Sequence, residues 1–546
     1  MRKDTALFLV VCAISAKTFS SLSDSHINDE GSDGSLALAM THPRKGAVPQ
    51  ECSLVMAESS IPNAGWGVFS LETWKAGETL PVTSTADVVV HITDPNPLTA
   101  HGMKKVIWEY LWDGQEVGGQ YEGQKVMSFA PGIGTLANGE ATKFNVLPRK
   151  PEKDSAGVDR KTSPGAGAIS HYHNLTWKVV KDITPGSEIF VNYGEGWFKE
   201  RGYTEQPQTV GQRSPEWLRE NGYCLDNLVS GKSSLPHAGR GAFAKRDIEV
   251  GNVVAPVPVL PIASESLAMA KEHESTGRVV VSQQLLRNYC FGHRNSSLLL
   301  YPYSSMVNFI NHASNGSPNV QLQWSEGSEI LFREPLSNLQ QSHARLMLEL
   351  VAIRPIRAGD EILLDYGKDW EDAWERHVAK WQPMLGEKFF MSSQDANDKD
   401  EMNSVLRTAI ELQSSPYPDN LFTSCYYQVS LEPNAAGPIH ERHVFQWVET
   451  PSLTQESRNL RPCLVMDRQS SLNGATFYTV RIFNRPGLAP SERIPPGRPY
   501  IVTGVPRYAI EFSEKLYTSD QHLEEAFRKE IGLDVFPLEW MDLNES

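Results

Sequence analysis

Three things are scarce in this 546-residue chain: cysteine, positive charge and long apolar runs. Of the six cysteines, Cys12 lies in an apolar leader, and the other five stand far apart at 52, 224, 290, 425 and 463. No Cys-x-x-Cys spacing occurs, which removes the common zinc clusters, and five scattered thiols read as buried cysteines rather than a disulfide framework. Fifty-one basic against 66 acidic side chains leave a net charge of −15, so the electrostatic footprint of a nucleic-acid binder is missing and a basic peptide or protein suits the surface better. No Gly-x-Ser-x-Gly elbow and no His-Glu-x-x-His pair is present. Residues 230–234 end like a phosphate-binding loop, but Asp226 stands where that loop needs glycine, so the stretch reads as a turn. His171-x-His173 and His440-x-x-His443 each pair two imidazoles with no third ligand nearby, so no metal is expected.

What is present is turn-forming residues, 40 Gly and 35 Pro, in a chain long enough for about three units. Residues 1–23 carry Arg2 and Lys3, an apolar run over 6–16 and then small residues, the layout of a secretory signal peptide too short to span a bilayer. Entry into the secretory pathway is the corresponding expectation; initiation at Met40 or Met56 would instead leave the protein in the cytoplasm or nucleus. Residues 24–50 read as a flexible spacer. Glycosylation sequons stand at Asn174, Asn295, Asn315 and Asn544.

Internal repeats carry the most information in the sequence. Ile61-Pro-Asn-Ala-Gly-Trp-Gly-Val-Phe69 returns as Leu235-Pro-His-Ala-Gly-Arg-Gly-Ala-Phe243. Ile183-Thr-Pro-Gly-Ser-Glu-Ile-Phe-Val-Asn-Tyr-Gly194 returns as Ile356-Arg-Ala-Gly-Asp-Glu-Ile-Leu-Leu-Asp-Tyr-Gly367, and Trp197 returns as Trp370. Two motifs recurring at nearly one offset imply a tandem duplication of a whole domain, over 51–205 and 215–385.

In the second copy, strands are expected at 253–258 and 298–303 and a helix at 264–273 capped by Ser264. An amphipathic helix over 371–381 is expected to present Trp374, Val378 and Trp381. Residues 386–401 read as a linker and 402–413 as a helix. Short apolar runs at 424–429, 444–448, 463–467, 476–483 and 500–502, then a helix at 521–531, suggest a small β-rich domain over 402–546.

Three blocks of the second copy fall in order: the Gly239-Arg240-Gly241 turn, the loop Val307-Asn-Phe-Ile-Asn-His-Ala-Ser-Asn-Gly-Ser-Pro-Asn319, and the strand ending Asp365-Tyr366-Gly367. In this the sequence resembles the SET-domain family of lysine methyltransferases that use S-adenosyl-L-methionine (AdoMet). The resemblance implies a mainly β fold with some α, in which the Asn-His loop and the Tyr strand thread together as a pseudoknot, in tandem and followed by the small β-rich domain. It further implies that Gly239, Arg240, Gly241, Asn311 and His312 bind AdoMet, that Tyr366 is the active-site hydroxyl, and that the substrate is a protein or peptide presenting a lysine.

Departures are visible too. Asn308 replaces an arginine common in the family and Ala313 a serine, and no cysteine cluster follows Tyr366, so the segment 370–381 is expected to close the channel instead. In the first copy Asn138 and Tyr193 are kept, but Gly139 takes the histidine position and a polar insertion covers 150–162. The first copy is therefore expected to be degenerate and the second competent. The alternative is a non-catalytic tandem scaffold that recruits a partner.

Overall fold

The computed structural model describes residues 48–541, leaving out 63, 82–84, 86–87, 94–108, 114–125, 150–155, 171, 174, 195–196, 198–210, 274–276, 315, 335–338, 340–345, 387–388, 400–404, 427–443, 449–459, 472–473, 484–499, 516–517 and 519. The signal peptide, the spacer to residue 47, three of the sequons (Asn174, Asn315 and Asn544), and His171, His440 and His443 lie outside the described residues. The protein is mainly β, and residues 239–367 form the curled, many-stranded SET-like arrangement.

The central sheet has eight strands, in the order Asn311–His312, Leu363–Leu364, Val320–Trp324, Met347–Ala352, Val253–Ala263, Leu298–Pro302, Phe291–Gly292 and Ile531–Gly532. Strand Val253–Ala263 runs well past the expected 253–258 although it holds Pro256, Pro258 and Pro261. Its first half pairs with Met347–Ala352 and its second half with Leu298–Pro302. Among the described residues each half therefore has a paired strand on one edge only, and a residue lacking an N–H is tolerated on the other.

The expected helix at 264–273 is a 3-10 turn, Ser264–Leu267, followed by strand Ala268–His273, which forms a hairpin with Gly277–Gln283. The β-branched run Val279-Val280-Val281 supplies the strand partner, and pairing overrides the local helical signal. The helix expected at 371–381 runs instead over Lys368–Lys380 with Trp381 as its C-cap, and its inner face is Trp370, Trp374 and His377, while Val378 is exposed.

Among residues 54–224, four strands form a sheet in the order Glu188–Ile189, Trp66–Ser70, Leu54–Glu58 and Tyr223–Cys224, so that Leu54–Glu58 is the one that pairs with Tyr223–Cys224. That pairing places Val55 opposite Cys224 and closes a Cys52–Cys224 disulfide. The sequence reading of scattered thiols is corrected here: the two cysteines, 172 residues apart, meet only because the strands do. Cys290, Cys425 and Cys463 are buried thiols.

One hydrophobic core joins the N-terminal region to the central sheet, holding Met56, Trp177 and Val191 together with Leu260, Leu348 and Leu364. A separate core, with Val480 and Val502, lies under a six-stranded sheet whose strands run from Leu421–Tyr426 to Ile510–Glu514. Two shorter elements there differ from expectation: 393–399 is a helix within the supposed linker, and only Glu411–Ser414 is helical among the described residues of 402–413. The β-rich domain also ends earlier than expected. From Asp520 the chain returns to the central core, with Ile531, Leu533, Phe536 and Trp540 buried in it. The helix expected at 521–531 is only the 3-10 turn Asp520–His522, because Asp520 is drawn into a buried ion pair with Arg160 and Ile531 is drawn into parallel pairing with Phe291.

Candidate active site

The loop 307–319 and the strand ending at Tyr366 lie side by side. Asn311 and His312 pair in parallel with Leu363 and Leu364, and the Ala313 N–H donates to the Leu364 carbonyl. Asn319 fixes the register with its amide: Nδ2 donates to the Glu361 carbonyl at 2.8 Å, and Oδ1 accepts from Leu363 N–H at 2.8 Å. Asn311 points to the glycine turn, its Nδ2 donating to the Arg240 carbonyl at 2.9 Å and approaching Ser233 Oγ and Glu361 Oε1 at 3.3 Å each. Glu361 is the hub, accepting from Ser233 Oγ (2.6 Å), Ser234 N–H (2.9 Å) and Ser234 Oγ (2.5 Å). Burial would raise its pKa, but these donors together with Asn311 outweigh burial and hold the carboxyl below its ordinary range. A Cβ on Gly241 would collide with Glu361 Oε1, so only glycine lets the turn lie this close.

His312 Nδ1 accepts from the Tyr366 N–H at 3.1 Å, which leaves the proton of the neutral ring on Nε2. Burial lowers the His312 pKa, against the pull of Asp365 and Glu371. The Tyr366 hydroxyl donates to the Ile310 carbonyl, and burial, with Tyr289 nearby, pushes its pKa up. Trp370 packs on both rings, 4.9 Å from each, and Trp374 and Phe527 continue the aromatic wall.

These residues surround a cavity of about 200 Å³ lined by Arg240, Asn311, His312, Tyr366, Trp370 and Trp374, among others. Among the described residues, three buried polar atoms on its lining have no protein partner: His312 Nε2, Arg240 Nε and Asn308 Oδ1. Two donors and an acceptor left open in this way fit a polar ligand, since unsatisfied buried groups are costly without one. The structure thus brings together Arg240, Asn311, His312 and Tyr366 at the cavity, with Gly239 and Gly241 in the turn behind it.

Residues 239–367 match the family model of the SET domain. They are a SET domain. A search of curated proteins finds no match. Among solved structures, a candidate histone methyltransferase of Plasmodium falciparum is similar at 20% identity, covering 26% of this chain and 96% of that one, with a TM-score of 0.18. An active polycomb repressive complex 2 in the stimulated state is similar at 21% identity over 32% of this chain and 18% of that one, with a TM-score of 0.19. The complex ctPRC2 bound to S-adenosylmethionine is similar at 19% identity over 30% of this chain and 19% of that one, also with a TM-score of 0.19.

The bonds that build the SET domain recur in residues 53–194. Asn138 Nδ2 donates to the Trp66 carbonyl and lies 3.4 Å from Glu188 Oε1, and Glu188 accepts from Ser59 Oγ, Ser60 N–H and Ser60 Oγ. Asn145 brackets Glu188 and Phe190 as Asn319 brackets Glu361 and Leu363. Tyr193 donates to the Ala137 carbonyl as Tyr366 does to that of Ile310. The difference is at Gly139, where a Cβ would run into the Tyr193 ring, so the space that His312 occupies in the SET domain is filled there by tyrosine.

Sequence reasoning passed over Ser233, Ser234 and Glu361, and read 230–234 only as a turn; that stretch is the end of strand Leu228–Lys232 leading into the two serines. The repeat carried the missing signal: Ser59-Ser60 and Glu188 stand at the matching places in the first copy. Asn308 was noted only as a departure, yet it lines the cavity.

Proposed function

We propose that this protein is an AdoMet-dependent protein-lysine methyltransferase with its active site in the second copy, and that the first copy is a degenerate SET unit. The observation that carries the reading is the set of open polar atoms on His312, Arg240 and Asn308 around one cavity that also meets Tyr366. The recurrence of the Asn–Ser–Ser–Glu network at Asn138 and Glu188 supports the duplication, and the Tyr193 ring against Gly139 supports loss of the first site.

In this reading Arg240, Asn311 and His312 would hold AdoMet, and Gly239 and Gly241 let the turn approach it. AdoMet, when bound, supplies the methyl group of its sulfonium. The protein's part is alignment and exclusion of water. The amine must be neutral, and free lysine titrates near ~10.4. The wall of Trp370, Trp374 and Phe527 disfavours an ammonium by desolvation, which lowers that value. Tyr366, whose hydroxyl stays protonated and donates to Ile310, positions groups rather than acting as a base. The net charge of −15 favours a basic lysine-bearing peptide or protein as substrate. Entry into an oxidising compartment, as the leader suggests, accords with the Cys52–Cys224 disulfide.

Calorimetric titration of the full chain with AdoMet tests the reading. Binding is expected, and Asn311→Ala and His312→Ala should each weaken it at least tenfold; no detectable binding at millimolar AdoMet would sink it.

A further inference from the structure

The connection between strands Val146–Arg149 and Thr176–Val179 of the first copy does not stay on the first copy. Its residues 163–170, Ser-Pro-Gly-Ala-Gly-Ala-Ile-Ser, cross to the other side of the cavity and are held there by the turn at His237, by helix Lys368–Lys380, by Asn288 and Tyr289 and by Arg528 of the C-terminal tail. Ser163 Oγ bonds His237 Nδ1 at 2.9 Å, beside the glycine turn. His377 Nε2, on helix Lys368–Lys380, donates to the Pro164 carbonyl at 2.9 Å. Arg528 donates to the Gly167 carbonyl, Asn288 Nδ2 to that of Ala168 at 2.8 Å, and the Ser170 N–H donates to Tyr289 Oη at 3.0 Å.

The composition of this strap follows from how tightly it is gripped. A Cβ on Gly165 would stand 2.6 Å from the His237 carbonyl oxygen. Gly167 has φ +70 and its Cβ would run into the Asp520 carbonyl. Glycine is needed at both places, where the strap meets the turn on one side and the C-terminal tail on the other. The strap also reaches the cofactor-side turn: a Cβ on Gly239 would meet Ile169 Cδ1 at 2.8 Å and the Ala156 carbonyl at 2.9 Å. Gly165, Ala168 and Ile169 line the same cavity as Arg240 and His312.

We infer that the strap 163–170 is a wall of the AdoMet pocket, so that the cofactor site is assembled from both copies and the first copy is kept because it supplies that wall. The inference rests on the AdoMet reading above. It gives the first copy a defined role, with Ile169 and Gly165 as positioning residues: Ile169 shapes the space over Gly239, and Gly165 lets the strap seat on His237.

Full-length protein, wild type and the variants Ile169→Ala and Gly165→Ala, is titrated with AdoMet by calorimetry. Hydrogen–deuterium exchange is followed with and without AdoMet. Wild type should gain protection at 163–170 as well as at 239–241 and 311–312. Each variant should bind at least tenfold more weakly, Ile169→Ala with an unchanged exchange pattern elsewhere in the apo chain, which separates a lost wall from a lost fold. Wild-type binding with full-strength binding by Ile169→Ala and no added protection at 163–170 would overturn this inference alone. Absence of binding by wild type would overturn the AdoMet reading and this inference with it.

Discussion

Glu361 and Glu188 show how much of the site is set by a single carboxylate. Each accepts from a consecutive pair of serines and lies beside an asparagine amide, and each leaves no room for a Cβ on the glycine across from it, Gly241 or Gly67. With its acceptors saturated by donors fixed in strands and turns, the carboxylate cannot yield to an intruding methyl group. Gly241→Ala should therefore destabilise the protein by about 1–3 kcal/mol, the range for overpacking, and also weaken AdoMet binding. Gly67→Ala should cost a similar amount of stability while leaving AdoMet binding within twofold of wild type. Chemical denaturation of both variants beside a titration checks the contrast, and equal loss of binding in both would contradict it. The motif residues are legible because the motifs occur twice in the sequence; Ser233, Ser234 and Glu361 also have counterparts at Ser59, Ser60 and Glu188, but serines beside a turn carry no chemistry until their acceptor is known.

Among the elements, the C-terminal return has the largest consequence for the site. Strand Ile531–Gly532 adds to the edge of the central sheet next to Phe291–Gly292, and the Gly532 N–H donates to the Tyr366 carbonyl at 2.8 Å. Upstream, Arg287 and Lys529 grip Glu530, whose carboxyl they hold below its usual range against the upward effect of burial. Phe527 packs on Trp370 and Trp374. A Cβ on Gly532 would stand 2.8 Å from the Tyr366 carbonyl oxygen, so Gly532→Val should push Tyr366 out of line. Methyl transfer to a lysine peptide is expected to fall at least tenfold while AdoMet affinity changes less than threefold; an unaltered rate would show that the tail does not position Tyr366. None of this was readable from the sequence of 521–546. A two-residue strand has no periodicity, and its partner at Phe291 is 240 residues away in the chain.

At the scale of the whole molecule, the mainly β fold and the ordering of the SET blocks were visible in the sequence, while the shared core was not. Periodicity tells which face of a strand is buried but not which neighbour buries it, and here Trp177 and Leu364 belong to one core. The fold also buries, wholly or in part, groups whose titration opposes folding at low pH. Burial pushes the His91 pKa down to about 3, and burial also lowers His522, His312 and His377. These folded-state values lie below the unfolded value near ~6.5, so their contribution to stability is complete above that pH and is lost as the pH falls, for His91 until about 3. Each such histidine removes about 1.4 kcal/mol per pH unit within its window. Glu361 and Glu530, lowered in the fold, add a second loss below the usual carboxylate range. The thermal midpoint should hold from pH 8 to near ~6.5 and then fall with rising steepness. A flat midpoint down to pH 5 would contradict it.

The Cys52–Cys224 bond, introduced above as a consequence of strand pairing, makes the first copy a covalent ring closed just before the SET domain begins. Closing a loop of 172 residues removes roughly 5 kcal/mol worth of freedom from the unfolded chain. It also means that the intact ring ties the strap at 163–170 to Cys224 by two routes of chain, and that one cut in the ring removes one route and leaves the other.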